Sequence, residues 1–221
     1  MLKQKIFSLN SLDSDLSEDF IISRGNQEAF DIISFDYTKN WGCDPYKNIL
    51  LLEGPESSGK TYLGKMWKKS NNAQFINTKI IPNLEFINKY HCFIIDDLDK
   101  KLDKEKNILH YFNIINESKK YLLILSNSKK KVILKDLSSR INSLKKVKIF
   151  PPDIDSIKFL IQKKFFYYSV DVREDVIEYL SKILPREYRK ILQAIEKINK
   201  FALIKSRKIT IPLVKEIILE D

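Results

Sequence analysis

Residues 51–67, LLEGPESSGKTYLGKMW, decide the fold. Eight of them, GPESSGKT at 54–61, fit the pattern G-x-x-x-x-G-K-[ST]. The run before them, NILLLE at 48–53, is short, continuous and apolar, as a strand buried on both faces is. The residues after them read as a helix to about position 70. Strand, loop and helix in that order are the context in which the pattern becomes a phosphate cradle. Backbone N–H groups of residues 56–60 turn toward phosphate oxygens at the positive end of the helix. Lys60 reaches the β- and γ-phosphates, and the Thr61 hydroxyl sits on Mg²⁺. The expected nucleotide-binding stretch is Gly54, Pro55, Glu56, Ser57, Ser58, Gly59, Lys60, Thr61 and Tyr62, with ATP or ADP and Mg²⁺ as the cofactors.

Outward from this loop, strand and helix patterns alternate. Residues 26–40 place Phe30, Ile33 and Tyr37 on one helical stripe. AQFIN at 73–77, HCFIID at 91–96, YLLILS at 121–126 and KVKIF at 146–150 read as further strands. Helical spacing falls at 82–88, 104–118 and 134–141. Such alternation implies crossovers and a parallel sheet. Pro151-Pro152 breaks the pattern, and only helical segments follow, at 153–168, 173–184, 186–201 and 210–220. Thr210 is the expected N-cap of the last, with Pro212 in its first turn. The expected domains are an N-terminal arm over 1–24, an α/β nucleotide-binding core over 25–151 and a small all-helical lid over 152–221.

Composition excludes several classes. With 43% hydrophobic and 31% charged residues the chain is globular rather than disordered. No apolar run approaches the ~18–20 residues of a membrane span, and the N-terminus lacks a signal peptide's apolar stretch. A cytoplasmic protein with no membrane partner is expected. Cys43 and Cys92 make no disulfide framework, and His91 and His110 have no ligand-like spacing. The net charge of +10 is uneven. Residues 100–150 carry 14 basic and 4 acidic side chains, whereas 1–99 carry 11 and 14. That segment suits nucleic acid or an acidic partner, or is simply a solvated lysine-rich surface. Only six basic residues are Arg, against 33 Lys. Lysine cannot replace a planar guanidinium fork on phosphate oxygens, so each arginine is worth weighing.

Carboxylates end the third strand. Asp96 is placed to hold Mg²⁺ through water, and Asp97 to polarise an attacking water. Ser126 and Asn127 end the fourth strand, where a polar group can bond the γ-phosphate or the lytic water. Arg140, in LKDLSSRIN, is placed to act on a neighbouring subunit's nucleotide. Arg189, in LPREYRKIL, could reach this chain's own nucleotide from the lid, and Arg186 competes for that role.

Together these pieces resemble the AAA+ ATPases, within them the branch of the replication initiator DnaA. GPESSGKT matches the P-loop, FIIDD the Walker B strand, LLILSNS sensor 1, LKDLSSRI the arginine-finger box and EYRKIL sensor 2, in the family's order over nearly the whole chain. The resemblance is closest to the short Hda-type relatives. The chain stops at Asp221 with no room for a helix-turn-helix DNA-reading domain, and it has a short N-terminal arm containing QKIFSL at 4–9. In Hda-type proteins a glutamine-led hydrophobic peptide here docks into the DNA-polymerase sliding clamp. Gln4, Phe7 and Leu9 match it, while Lys5 and Ser8 depart. The resemblance implies an AAA+ core with a helical lid, ADP or ATP as a conformational requirement, and two partners, DnaA and the DNA polymerase III clamp. DNA is reached through the clamp, and homo-oligomers are compatible with the family. It also implies negative regulation of replication initiation, with Arg140 supplied in trans to DnaA's nucleotide. Asn127, where the initiator-like pattern favours a carboxylate, implies weak intrinsic hydrolysis. The alternative is a DNA-associated AAA+ ATPase that loads or remodels, as a helicase loader or transposition helper does, its basic 100–150 segment on DNA phosphates.

Overall fold

A computed structural model of the chain describes residues 20–35, 38, 41–100, 104–127 and 132–219. Gln4, Phe7 and Leu9, and the basic loop at 129–131, lie outside them. Five parallel strands form one sheet: β1 (Ile49–Glu53), β2 (Gln74–Phe75), β3 (Cys92–Ile95), β4 (Tyr121–Ser126) and β5 (Lys145–Lys148). Their order is β2-β3-β4-β1-β5. β1 therefore runs between β4 and β5, with Glu53 opposite Ser126. This sets the ends of β1, β3 and β4 side by side along one edge.

The apolar runs were expected to be buried on both faces, and alternation shows how. Leu50, Leu52, Ile94, Leu123 and Leu125 pack on one face with Phe30 and Ile33 of α1 (Gln27–Ser34) and Leu63, Met66 and Trp67 of α2 (Lys60–Asn71). Ile49, Leu51, Phe93, Ile95, Leu122 and Ile124 pack on the other. They meet Ile87 of α3 (Leu84–Lys89), Ile108, Phe112 and Ile115 of α4 (Glu105–Glu117), and Leu137 and Ile141 of α5 (Lys135–Asn142). β5 is an edge strand, and its exposed Lys146 and Lys148 flank buried Val147. Such charges discourage pairing with another chain's strand.

Several expected elements are shorter than their patterns. α1 ends at Ser34, where Phe35 turns to extended backbone, and Tyr37 of the expected stripe lies outside the described residues. β2 keeps two residues of the five expected, although Ile76 N still donates to Ile94 O at 2.8 Å. β3 stops before Asp96 because Asp97 takes the left-handed region, at φ 53°.

Beyond Pro151-Pro152 the helical lid comprises α6 (Ile154–Tyr167), α7 (Glu174–Ile183), α8 (Tyr188–Ile204) and α9 (Ile211–Leu219). Asp153 caps α6, accepting from Ser156 N at 2.8 Å and from the Ser156 hydroxyl. Those bonds hold its carboxyl below the usual range. Thr210 Oγ1 accepts from Leu213 N at 3.5 Å at the start of α9. The lid has its own core, built on Leu160, Ile161, Phe165, Leu180, Ile191, Ile195, Ile198 and Leu213. Residues 20–22, read from sequence as arm, join the two halves. Ile21 is buried in the lid core, while Phe20 and Ile22 pack against the sheet-side cluster.

Candidate nucleotide site

The loop from β1 to α2 is bent at two left-handed positions, Ser57 (φ 60°) and Gly59 (φ 93°). Gly59 needs the absence of a side chain twice over, since a Cβ there would also sit 3.0 Å from the Phe20 ring. The loop's start is equally tight. A Cβ on Gly54 would lie 2.9 Å from Ser58 Oγ and 3.0 Å from Ile149 O. Gly54 N also donates to Ser126 O at 3.2 Å, tying the loop to the end of β4.

Lys60 opens α2 and is only 5% exposed. Its Nζ donates to Gly54 O at 2.9 Å, to Pro55 O at 2.7 Å and to Ser58 Oγ at 3.4 Å. Burial pushes its pKa down, opposed by the carboxylates of Asp97, Asp96, Asp99 and Glu56. Beside it opens a cavity of about 520 Å³. Residues 56–62 form its floor, and Asp97 and Asn127 reach it from the strand ends. Leu160, Tyr188, Arg189, Leu192, Gln193 and Glu196 roof it from the lid, and Phe20, Ile21 and Asn26 close the side. Phe20 stacks on Tyr62 with ring centroids 5.4 Å apart and on Phe30 at 5.9 Å, making that wall aromatic. The buried Asn26 builds the turn behind it, accepting from Ser23 N at 2.7 Å and donating to Ile21 O at 2.8 Å. The Ser23 and Tyr188 hydroxyls meet at 3.1 Å, joining this turn to the lid. Burial raises the Tyr188 pKa, against the pull of the Ser23 hydrogen bond.

Thr61 Oγ1 donates to Asp96 Oδ1 at 3.2 Å, which sets a hydroxyl and a carboxylate together at the mouth of the loop. Among the described residues no group of three or more His, Cys, Asp or Glu could hold a metal by itself. Mg²⁺ in phosphate sites takes only one or two protein ligands and fills the rest with phosphate oxygens and water. The Thr61–Asp96 pair fits that need.

Three comparisons bear on this geometry. Residues 157–218 match the family model described as "Hda, lid domain". The chromosomal replication initiator DnaA of Campylobacter fetus is 29% identical over 230 residues, covering 92% of this chain and 52% of that protein. The fold matches domain III of Thermotoga maritima DnaA with a TM-score of 0.69 at 18% identity, covering 96% of this chain and 98% of that one. AMPPCP-bound DnaA from Aquifex aeolicus matches with a TM-score of 0.65 at 20% identity, covering 82% and 63%. The chain is therefore similar to DnaA in sequence and to DnaA domain III in fold, and its lid matches the Hda lid model. It spans about half the length of the curated relatives it matches.

In this DnaA-like frame the expected site residues divide. Glu56, Ser57, Ser58, Gly59, Lys60, Thr61, Tyr62, Asp97, Asn127 and Arg189 all line the cavity. Gly54 and Pro55 do not reach its wall. They stand behind it, because their carbonyls are turned to Lys60 Nζ. Asp96 is one step removed, behind Thr61. Of the two competing lid arginines, Arg189 lines the cavity and Arg186 does not. Arg140 is elsewhere, on α5. Its side chain is 27% exposed, paired with Asp136 (Nε to Oδ1, 3.0 Å; Nη2 to Oδ2, 3.3 Å) and laid over the Phe112 ring at 5.8 Å. The Asp136 bond raises its already high pKa.

Sequence reasoning missed four contributors. Phe20 and Tyr188 close the cavity but read as generic aromatics. Glu105, buried at the start of α4, accepts from Ile133 N at 2.7 Å and Leu134 N at 2.5 Å and so anchors the entrance to α5. Asp99 read only as the polar end of a strand, yet it is 5% exposed and bonded to the end of β4. A third carboxylate in DDLD, facing a Ser-Asn pair on the neighbouring strand, was the available signal.

Proposed function

We propose that the cavity binds ATP or ADP with Mg²⁺ and that the chain is a nucleotide-dependent regulator of bacterial replication initiation. The observation that carries the reading is a buried lysine in a strand–loop–helix phosphate cradle, roofed by an Hda-like lid whose Arg189 enters the same cavity. Bound Mg²⁺ would neutralise phosphate charge and fix the phosphate oxygens. Lys60 would trade its Ser58 contact for a phosphate oxygen. Thr61 and Asp96 would hold the ion, Asp97 would orient water, and Arg189 would report the phosphates to the lid. Phe20, Tyr62, Leu160 and Leu192 supply an apolar, aromatic side suited to a base.

DnaA is the proposed partner. Arg140 acts in trans on its nucleotide, and Gln4, Phe7 and Leu9 dock on the sliding clamp as an extended peptide. The partly exposed Asp136–Arg140 pair at (i, i+4) contributes only ~0.3–0.5 kcal/mol and the Phe112 ring contact about 0.5–1 kcal/mol, so release of Arg140 toward a partner's phosphate costs little. The test is reconstitution with labelled ATP on DnaA and clamp-loaded DNA. Adding the chain should accelerate hydrolysis, and Gln4→Ala with Phe7→Ala should lose clamp binding and with it the acceleration by clamp-loaded DNA. No acceleration, with tight salt-sensitive duplex binding by this chain alone, would instead support the loader reading.

A further inference from the structure

We propose that Asp99 is a positioning residue that lets the site discriminate nucleotide states, by fixing the end of β4 so that Asn127 stays on the cavity wall. Asp99 lies in the 3₁₀ turn at Leu98–Lys100 that follows β3. One oxygen of its buried carboxylate, Oδ2, accepts from Ser126 Oγ at 2.9 Å and from Asn127 N at 2.5 Å. The carbonyl of the same Ser126 accepts from Gly54 N at 3.2 Å. A single chain of hydrogen bonds thus runs from the turn that follows Asp96 and Asp97, through the end of β4, to the first glycine of the phosphate loop. Asn127, next along from Ser126, shares its wall with Lys60 and Asp97. A terminal phosphate is the part of ATP that ADP lacks. A side chain whose backbone is pinned can tell the two apart, because it cannot follow the shorter ligand.

A carboxylate that merely stabilised the fold would, on removal, weaken both nucleotides alike. Asp99 is therefore tested by a ratio. The inference rests on the nucleotide reading of the cavity, so the wild-type chain is titrated first with ADP and with AMPPCP, each with Mg²⁺, by calorimetry, with thermal denaturation in parallel. If the wild type binds neither, the nucleotide reading fails and the Asp99 inference with it. Given binding, Asp99→Ala should cost AMPPCP about tenfold in affinity relative to ADP, the loss expected for one hydrogen bond to a charged group. Asp99→Asn, whose amide oxygen can accept the same two bonds, should restore the wild-type ratio. Asn127→Ala should reproduce the Asp99→Ala ratio, and the double variant should add nothing. An Asp99→Ala chain that loses both affinities equally, or neither, overturns the inference. So does an Asp99→Asn chain shifted as far as Asp99→Ala, since charge rather than position would then be at work. If Asp99→Ala does not fold, Ser126→Ala removes one of the two bonds without touching the β3 turn. An unchanged ratio there is equally fatal.

Discussion

Replacing Lys60 by methionine keeps the length of the side chain and removes its charge. Nζ already spends two good hydrogen bonds on Gly54 O and Pro55 O, at 2.9 and 2.7 Å, and a third, longer one on Ser58 Oγ at 3.4 Å. Only the third is free to be exchanged for a phosphate oxygen without unmaking the loop. The variant should therefore lose about one charge-assisted bond to the ligand, ~1.5–3 kcal/mol, which is about 10- to 150-fold in affinity. The pH dependence carries a second signature. Burial holds the Lys60 pKa below its ordinary 10.5 in the free protein, and an adjacent phosphate pulls it back up. Binding then takes up a proton at alkaline pH, so wild-type affinity is flat below the depressed value and falls as pH rises through it. The free protein shows the reverse trend. Its folded state holds this proton less tightly than the unfolded chain does. The penalty is full below the folded pKa and is relieved as pH rises from there to 10.5, so stability from this group grows over that window. Titration with a fluorescent ADP across neutral to alkaline pH, beside urea unfolding, measures both. Normal affinity in Lys60→Met, or an alkaline slope identical to wild type, would refute the assignment of this lysine to the phosphate.

Three further outcomes are expected. Arg140→Ala should leave nucleotide binding unchanged and abolish stimulation of DnaA hydrolysis, a finger being worth ~10³–10⁵ in rate; Asp136→Ala, which removes the ion-pair partner of Arg140, should preserve stimulation and cost at most ~0.5 kcal/mol of stability. Glu105→Ala strips the acceptor from two backbone N–H groups and should lower unfolding free energy by about 2–4 kcal/mol in denaturant titrations, with Glu105→Gln intermediate. Gly54→Ala places a Cβ against Ile149 O and Ser58 Oγ, so it should cost ~1–3 kcal/mol as overpacking and weaken ADP about tenfold or more, because the loop that holds Lys60 must shift.

The strand at 49–53 and the loop after it were legible in sequence because both are local. Four apolar residues with no polar alternation mean burial on two faces, and a glycine-bounded loop before Lys60 between strand and helix means a phosphate cradle. That Asp97, Asn127 and Arg189 would face one cavity was legible because strand ends meet at one edge of a parallel sheet and because arginine is scarce here. What stayed hidden depends on three-dimensional partners. Asp99 looks like any loop carboxylate until Ser126 and Asn127, far along the chain, are seen on its oxygen. Glu105 looks like ordinary first-turn acid until Ile133 and Leu134 donate to it. The outward placement of Gly54 and Pro55 follows from where Lys60 chooses to bond, which spacing alone does not encode. The third strand was overread where Asp97 leaves regular backbone.

The three residues 20–22 have a practical consequence for anyone dissecting this chain. Ile21 plugs the lid, Phe20 lies over Gly59, and Ile22 rests on the sheet side. A shortened gene that began at residue 25, a natural cut if the preceding segment is taken as dispensable, would uncork both halves at once and remove one wall of the cavity. The lid expressed alone would carry an unfilled socket on its surface. This protein is best divided, if at all, upstream of Phe20.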